Sequence, residues 1–239
     1  MQEVKNRIIN IANQQTMLSN PETEENVKQE LRDWISQGRK HELNNFNDAL
    51  FGAFYVKNFY KKRVKLFSRV LKFCSRRHRN ANLIMNSRSS IVSFGCGAGP
   101  EILAYVHYIR NVLNNNDIRL DIQAIDMINY WRNYISVLND LEGRGNTNLL
   151  ITFKEDTLNL EYFENNPRND VCIMLFPHGN SFPDIWDLLI DQFDLIIFVD
   201  VLSNCLKNKL KKIGFKNYRF NKIGFHVYVA SEAERLNCN

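Results

Sequence analysis

The sequence contains no run of eighteen apolar residues, and its first residues, Met1–Lys5, lack the apolar core of a secretory signal peptide. We therefore expect an intracellular protein, nuclear or cytoplasmic, with no membrane partner. The five cysteines are odd in number, widely spaced and free of any CxxC pair. This pattern argues against a disulfide framework and against a zinc site, so we expect reduced thiols and no bound metal.

Acidic residues are missing from the segment between Lys57 and Arg79, which carries ten basic residues. Apolar residues recur at helical spacing within it, so we predict a helix with one basic face and one buried face. A basic face attracts phosphate groups, and we predict that this one contacts RNA. The candidate substrate-binding residues are Lys57, Lys61, Lys62, Arg63, Arg76 and Arg77. The alternative is a solvated helix face without a ligand.

The most informative motif is an apolar run, Ile91–Phe94, that leads into a turn with alternating glycines at Gly95, Gly97 and Gly99. A strand that enters such a turn lets a ligand approach bare backbone, because glycine adopts positive φ and has no Cβ. A dinucleotide fingerprint requires a glycine at the sixth position, where this chain has Pro100. The motif therefore favours S-adenosylmethionine over a nicotinamide cofactor.

The first third of the chain has helical periodicity and no strand-like alternation. We predict helices at Glu25–Trp34 and Leu43–Cys74, followed by an asparagine-rich connector over Asn80–Ser90. The predicted domain organisation is a helical extension over residues 1–85 and an α/β domain over residues 86–239.

From Ile91 onward, short apolar runs alternate with helical stretches. The predicted strands are Ile91–Phe94, Leu120–Ile125, Leu149–Phe153, Val171–Phe176 and Leu195–Val199. Such runs indicate a parallel sheet that helices cover on both faces. Tyr218–Ile223 and Phe225–Ala230 are separated by one residue, which predicts an antiparallel hairpin. The predicted fold class is α/β, a Rossmann-like seven-stranded, mostly parallel sheet with an antiparallel C-terminal hairpin, preceded by the N-terminal helical extension.

Ligands of open α/β sheets bind at the carboxyl ends of the strands. The glycine turn follows the first strand, Asp126 the second and Asp156 the third. A carboxylate accepts hydrogen bonds through two oxygens, which suits ribose hydroxyls at Asp126 and the adenine amino group at Asp156. The candidate cofactor-binding residues are Gly95, Cys96, Gly97, Ala98, Gly99, Glu101, Asp126, Met127, Asp156, Thr157 and Phe176. The alternatives are packing roles for the glycines and capping roles for the carboxylates.

The strand inventory resembles the class I methyltransferase fold, whose members commonly position the methyl acceptor in the segment after the fourth strand. That resemblance implies this role for residues 176–182. Within it, His178 and Asn180 are the candidate catalytic residues, and His178 would take a proton as the methyl group is transferred. The alternative is a turn shaped by Pro177 and Gly179. The chain has no Asp/Asn-Pro-Pro-aromatic motif, which makes methylation of adenine N6 a less favoured reaction.

Together, the strand inventory and the Gly-Cys-Gly-Ala-Gly-Pro-Glu turn resemble those of class I S-adenosylmethionine-dependent methyltransferases. A similarity to fungal large-subunit rRNA uridine-N3 methyltransferases is specific at the glycine motif and looser elsewhere. The looser blocks are Ala49–Phe59 with Phe54, Tyr55 and Tyr60, Ile125-Asp126 followed by Trp131, and Phe176-Pro177. That resemblance implies an RNA base as substrate, S-adenosylmethionine as cofactor and, for some members, a nuclear or nucleolar site. The chain departs from that group at His178-Gly179-Asn180, where such proteins often have a basic or serine-rich turn.

Two other functions stay open at this point. One is a catalytically inactive methyltransferase-like module that binds RNA, or a protein partner through its N-terminal helices. The other is methylation of a small molecule or a protein, which an apolar pocket closed by the N-terminal helices over the glycine turn would favour.

Overall fold

The computed structural model describes ten stretches of the chain. These are residues 1–17, 19–36, 48–87, 89–142, 148–157, 162–163, 169–175, 185–200, 202–219 and 226–231. None of the helices in these stretches is both long and apolar enough to cross a lipid bilayer.

Seven strands form one sheet in the order β3-β2-β1-β4-β5-β7-β6. Their bounds are Ser90–Phe94 (β1), Leu120–Asp126 (β2), Leu149–Glu155 (β3), Asn169–Leu175 (β4), Phe193–Asp200 (β5), Lys216–Arg219 (β6) and His226–Ser231 (β7). Strands β1 to β5 pair in parallel, and β7 pairs antiparallel with both β5 and β6. This arrangement confirms the predicted fold class. The last strand inserts between β5 and β6.

The central strands are buried because helices cover both faces of the sheet. Every residue of β5 is buried, and the last four residues of β1 are buried as well. Successive side chains point to opposite faces, so that Ile91 joins the hydrophobic cluster on one face and Val92 the cluster on the other. This two-sided burial explains why apolar residues predominate in both strands.

The helices form two layers. Within the stretches given above, four α-helices precede the sheet: Gln2–Met17 (α1), Pro21–Ser36 (α2), Ala49–Arg77 (α3) and Arg79–Ser87 (α4). Four more follow strands of the sheet: Pro100–Asn111 (α5), Arg132–Leu138 (α6), Ile185–Gln192 (α7) and Asn204–Lys212 (α8). Buried residues of α1, α3, α5 and α6 pack against one face of the sheet, and those of α7 and α8 against the other.

Helix α3 joins the N-terminal region to the sheet core. Asp48 caps its first turn by accepting a hydrogen bond from the amide of Leu50 at 2.7 Å. Its apolar face, which includes Phe67 and Leu71, belongs to the same hydrophobic cluster as strands β1 and β2. The N-terminal helices therefore share a core with the sheet that follows them.

The predicted connector over Asn80–Ser90 is wrong, because most of this segment is helix α4. Ala81 and Met85 lie one turn apart on that helix, and both are fully buried in the main cluster. Burial of this helix face outweighs the preference of asparagine for turns. The local sequence shows that preference but does not show the tertiary burial. Helix α4 also runs across the boundary at residues 85 and 86, so the division into two domains stays a prediction.

Candidate functional site

The glycine turn lies at the carboxyl edge of the sheet, between strand β1 and helix α5. Gly95, Gly97 and Gly99 all have positive φ, at 61°, 48° and 68°. The amide of Gly99 donates to the carbonyl of Cys96 at 2.7 Å, and the amide of Cys96 donates to the carbonyl of Ile125 at 3.2 Å. The turn is therefore closed on itself and fastened to the end of β2.

Gly97 and Gly99 differ in what surrounds them. A Cβ on Gly99 would lie 2.8 Å from the terminal methyls of Ile135 and Leu138, so this glycine permits close packing of α6 against the turn. A Cβ on Gly97 would lie 3.9 Å from the Trp131 ring, which is ordinary contact. Close packing thus explains the glycine at position 99. At position 97, glycine is favoured because the backbone has positive φ.

Asp126 ends strand β2 and fixes the glycine turn. Its two oxygens accept hydrogen bonds from the amide of Gly97 at 2.9 Å and from the amide of Ile128 at 3.0 Å. The side chain is only 9% exposed, and burial raises the pKa of this carboxyl to about 6, although the amide hydrogen bonds act in the opposite direction. The sequence placed Asp126 beside the turn without indicating that it holds the turn in place.

Asp156 lies beside Asp126 because the amide of Asp156 donates to the carbonyl of Asp126 at 3.1 Å. Its carboxylate accepts a hydrogen bond from Lys154 at 2.7 Å and one from the amide of Thr157 at 2.8 Å. The hydrogen bond from Lys154 is the main reason that the pKa of Asp156 is lowered. The ends of β2 and β3 therefore bring two carboxyl groups to the same edge of the sheet.

Glu101 lies beneath the turn. Its side chain is 1% exposed and accepts a hydrogen bond from the Ser93 hydroxyl at 2.6 Å. Burial raises the pKa of Glu101 to about 8, so this carboxyl is largely protonated at neutral pH. The Tyr60 hydroxyl of helix α3 is buried with no hydrogen-bond partner among the described residues, and the charge of Glu101 adds to the effect of burial in raising the pKa of Tyr60.

The other residues predicted around the turn fall into two groups. Cys96 and Ala98 are buried, and burial raises the pKa of the Cys96 thiol well above its usual value, which agrees with a small packing residue. Met127 is 48% exposed directly after Asp126, and Thr157 is exposed. The edge of the sheet therefore presents one large apolar side chain next to its carboxylates.

Sequence reasoning missed the contribution of Tyr130. The Tyr130 and Trp131 rings lie 4.5 Å apart, and the charge of Asp126 adds to burial in raising the pKa of Tyr130. A Cβ at Gly52 would overlap the Tyr130 hydroxyl, so helix α3 approaches the site at this glycine. The available signal was a glycine inside an otherwise helix-forming sequence, which often marks a close approach.

The predicted acceptor-positioning residues His178 and Asn180 lie outside the described residues, as does Phe176. Their roles stay predictions. Strand β4 is described as far as Leu175, which pairs with Val199 of β5. Among the described residues, no group of three or more His, Cys, Asp or Glu side chains is placed to hold a metal ion.

Most of the predicted basic face is exposed. Lys57, Lys61, Lys62, Arg76 and Arg77 all lie on the exposed surface of helix α3. Arg63 is an exception and needs correction, because its side chain is only 4% exposed. Its guanidinium lies 6.0 Å from the centres of both the Tyr55 and Phe59 rings. In this conformation Arg63 packs against the two rings, and a contact with phosphate would require its side chain to move.

The fold resembles that of two methyltransferases of known structure. An O-methyltransferase family protein from Burkholderia thailandensis matches with a TM-score of 0.55 and 10% sequence identity, over 87% of this chain and 70% of that one. Magnesium protoporphyrin IX methyltransferase from Synechocystis PCC 6803, with bound SAH, matches with a TM-score of 0.50 and 11% identity, over 84% of this chain and 97% of that one. No family model and no curated protein sequence matches the chain. The fold is thus that of class I methyltransferases.

Proposed function

We propose that the chain is an S-adenosylmethionine-dependent methyltransferase that acts on an RNA base. The observation that carries this proposal is the hydrogen bond from the Gly97 amide to Asp126, at the carboxyl edge of a sheet with the order 3-2-1-4-5-7-6. It joins a turn of three positive-φ glycines to an acidic strand end. Ligands of open α/β sheets bind at this edge.

The residues at this edge fit S-adenosylmethionine. The backbone at Gly97 has no side chain that would exclude a ligand, and Met127 offers an exposed apolar surface for the adenine ring. The Asp126 carboxylate has about four acceptor positions. The amides of Gly97 and Ile128 use two of them, which leaves acceptor positions for the ribose hydroxyls.

In this proposal the cofactor supplies a methyl group bound to a positively charged sulfur. The protein contributes mainly placement, because in-line methyl transfer needs few acid or base groups. Asp126 and Gly97 hold the cofactor, and His178 and Asn180 orient the base whose ring nitrogen receives the methyl group. His178 takes the proton that the acceptor loses.

The exposed cations of helix α3 support an RNA substrate. Lys57, Lys61, Lys62, Arg76 and Arg77 are exposed on a single helix, and the segment between them contains no acidic residue. In this proposal these side chains contact backbone phosphates, so RNA affinity falls steeply as salt is added. The narrower similarity to fungal rRNA uridine-N3 methyltransferases stays a prediction about the acceptor atom.

Calorimetric titration of the purified chain with S-adenosylmethionine and S-adenosylhomocysteine tests the cofactor. We expect saturable binding that Asp126→Ala abolishes. Asp121→Ala, which removes an exposed carboxylate from the same strand, is the matched control and should bind as the wild type does. No binding by the folded wild-type chain at millimolar ligand would exclude the enzyme.

Transfer of a labelled methyl group to separated RNA, protein and small-molecule pools tests the substrate. Label in RNA supports the proposal. A second candidate is a small-molecule methyltransferase. It is favoured by the approach of α3 to Tyr130, near Asp126, since a helix at this point limits the space beside the proposed cofactor site. Cofactor binding without label in any pool would instead favour the inactive module.

A further inference from the structure

A groove of about 340 Å³ lies between helices α1, α3 and α5, away from the glycine turn. Four lysines line it: Lys5 of α1 and Lys61, Lys65 and Lys72 of α3. His107 of α5 lies in the same lining. Three separate helices thus bring cationic or polar groups to one concave surface.

The charge in this groove is not balanced by its lining. None of the described residues that line the groove is an Asp or a Glu. Burial and then the charge of Lys61 lower the pKa of Lys5, and burial followed by the charge of Lys5 lowers the pKa of His107. The fold therefore holds like charges close together, and a bound anion would relieve their repulsion.

The size and shape of the groove indicate more than a single small ion. Its volume is near the lower end of the range for small-molecule sites, about 300 to 1,000 Å³. Lys61 and Lys72 are eleven positions apart on one helix, which corresponds to about 16 Å at 1.5 Å per residue. The cations are thus distributed along the length of the groove, and Val64, Ala104 and Val112 provide apolar walls.

We propose that this groove binds a polyphosphate group. A phosphodiester carries one negative charge, whereas a single terminal phosphate carries about 1.5 to 2 at pH 7, and a chain of phosphates carries more. Four lysines along an elongated groove match a chain of phosphates better than an isolated diester. The group would belong either to a free polyphosphate, such as a nucleoside triphosphate, or to the 5′ end of an RNA.

This site is separate from the site of methyl transfer. His107 lies eight positions beyond Gly99 along α5, about 12 Å from the glycine turn at 1.5 Å per residue. Only Lys61 belongs both to the groove and to the exposed face proposed to contact RNA phosphates. The groove therefore adds a ligand that the proposed function does not require.

Calorimetric titration of the full chain with inorganic tripolyphosphate tests the proposal. We expect saturable binding that Lys65→Gln/Lys72→Gln weakens by at least about tenfold, because each change removes a cation from the groove. The matched control is Lys62→Gln/Arg69→Gln, which removes two exposed cations of the same helix that do not line the groove. It should weaken binding by less than about threefold. All of these residues are exposed, and a melting curve verifies that each variant is folded.

The absence of saturable binding by the wild type would overturn the proposal. Equal weakening by the two double variants would also overturn it, since binding would then depend on the general charge of the helix. The source is identified with one RNA sequence made with a 5′ triphosphate or a 5′ hydroxyl. If the triphosphate RNA binds more tightly and Lys65→Gln/Lys72→Gln removes that difference in affinity, the ligand is the 5′ end of an RNA. If the two RNAs bind with equal affinity, the ligand is a free polyphosphate. Cofactor titration of the same variants reports on the methyltransferase proposal independently.

Discussion

The carboxyl groups at the glycine turn are buried and hydrogen bonded, whereas most of the cations of helix α3 are exposed to solvent. Glu101 and Asp126 are buried, their pKa values are raised, and each accepts hydrogen bonds from the neighbouring strand or turn. Lys61 and Lys65 are exposed and line a groove without a carboxylate. The first region is organised by the protein itself, whereas the described residues that line the second present positive charge without a carboxylate among them.

This difference predicts where substitutions act. Changes at the glycine turn should alter the free energy of unfolding, because every group there packs against or hydrogen bonds to another. Changes on the exposed face of α3 should alter binding and leave stability nearly unchanged, as is usual for surface substitutions.

The largest expected effect is that of Gly99→Ala. Positive φ costs a residue with a Cβ about 1 to 2 kcal/mol, and overpacking against Ile135 and Leu138 costs about 1 to 3 kcal/mol more. Urea unfolding should show a loss of about 2 to 5 kcal/mol. Gly97→Ala is the control. It should lose only the stability that positive φ costs, since its Cβ meets no atom closer than 3.9 Å. Equal losses would show that packing does not distinguish the two glycines.

The next effect concerns the pH dependence of stability. Burial raises the pKa of Glu101 to about 8, above its value near 4.3 in an unfolded chain, so the folded state binds more protons between these pH values. Stability contributed by the neutral carboxyl is present at low pH and is lost as pH rises through 8, by up to about 1.4 kcal/mol per pH unit.

Glu101→Gln should remove this slope, because glutamine has no proton to lose. The measurement is urea unfolding of both proteins at pH 5, 6.5 and 8, with the difference between them plotted against pH. Asp126, with its pKa raised to about 6, contributes a slope of the same sign to both proteins, and its charge also raises the pKa of Glu101. The difference between the two proteins is therefore read chiefly between pH 6.5 and 8, above the pKa of Asp126. A difference that stays constant with pH would contradict the buried, protonated Glu101.

A smaller effect is expected for Asp126→Ala. The amides of Gly97 and Ile128 would lose their acceptor, which costs about 1 to 3 kcal/mol where the groups stay buried. Asp121→Ala on the same strand should change the free energy of unfolding by less than about 0.5 kcal/mol. If chemical denaturation gave both variants the same stability, Asp126 would not fasten the turn.

The sequence was sufficient to predict the sheet and the position of the turn. Mostly apolar runs such as Ile91–Phe94 indicated burial on both faces of the sheet. Asp126 was predicted to lie at the carboxyl edge because it follows the second run. The hydrogen bond between Ser93 and Glu101 was not predictable, since strand alternation does not show which polar side chain faces the next helix. Helix α4 was missed for a similar reason, because its stability comes from tertiary burial of Ala81 and Met85.

The burial of Arg63 could have been predicted from helical spacing, but the charge of Arg63 was given more weight. Tyr60 precedes it by three residues, Phe67 follows by four and Val70 by seven, and all three are buried. Helical spacing therefore places Arg63 on the apolar face of the helix, whereas its charge led to the prediction that it lies on the basic face. A long side chain can lie along apolar surface in this way, since only its guanidinium is polar.

The comparison of Arg63 with Lys62 tests the distinction within a single helix, and Lys62 gives the smallest expected change in stability. Arg63→Ala should lower the free energy of unfolding by about 1 to 3 kcal/mol, because the side chain packs over Tyr55 and Phe59. Lys62→Ala should change it by less than about 0.5 kcal/mol. In RNA binding the order should reverse, since Lys62→Ala removes one phosphate contact and lowers the salt slope by about 0.7, whereas folded Arg63→Ala keeps the wild-type slope. A reduced slope for Arg63→Ala alone would mean that its guanidinium leaves the aromatic rings to contact RNA.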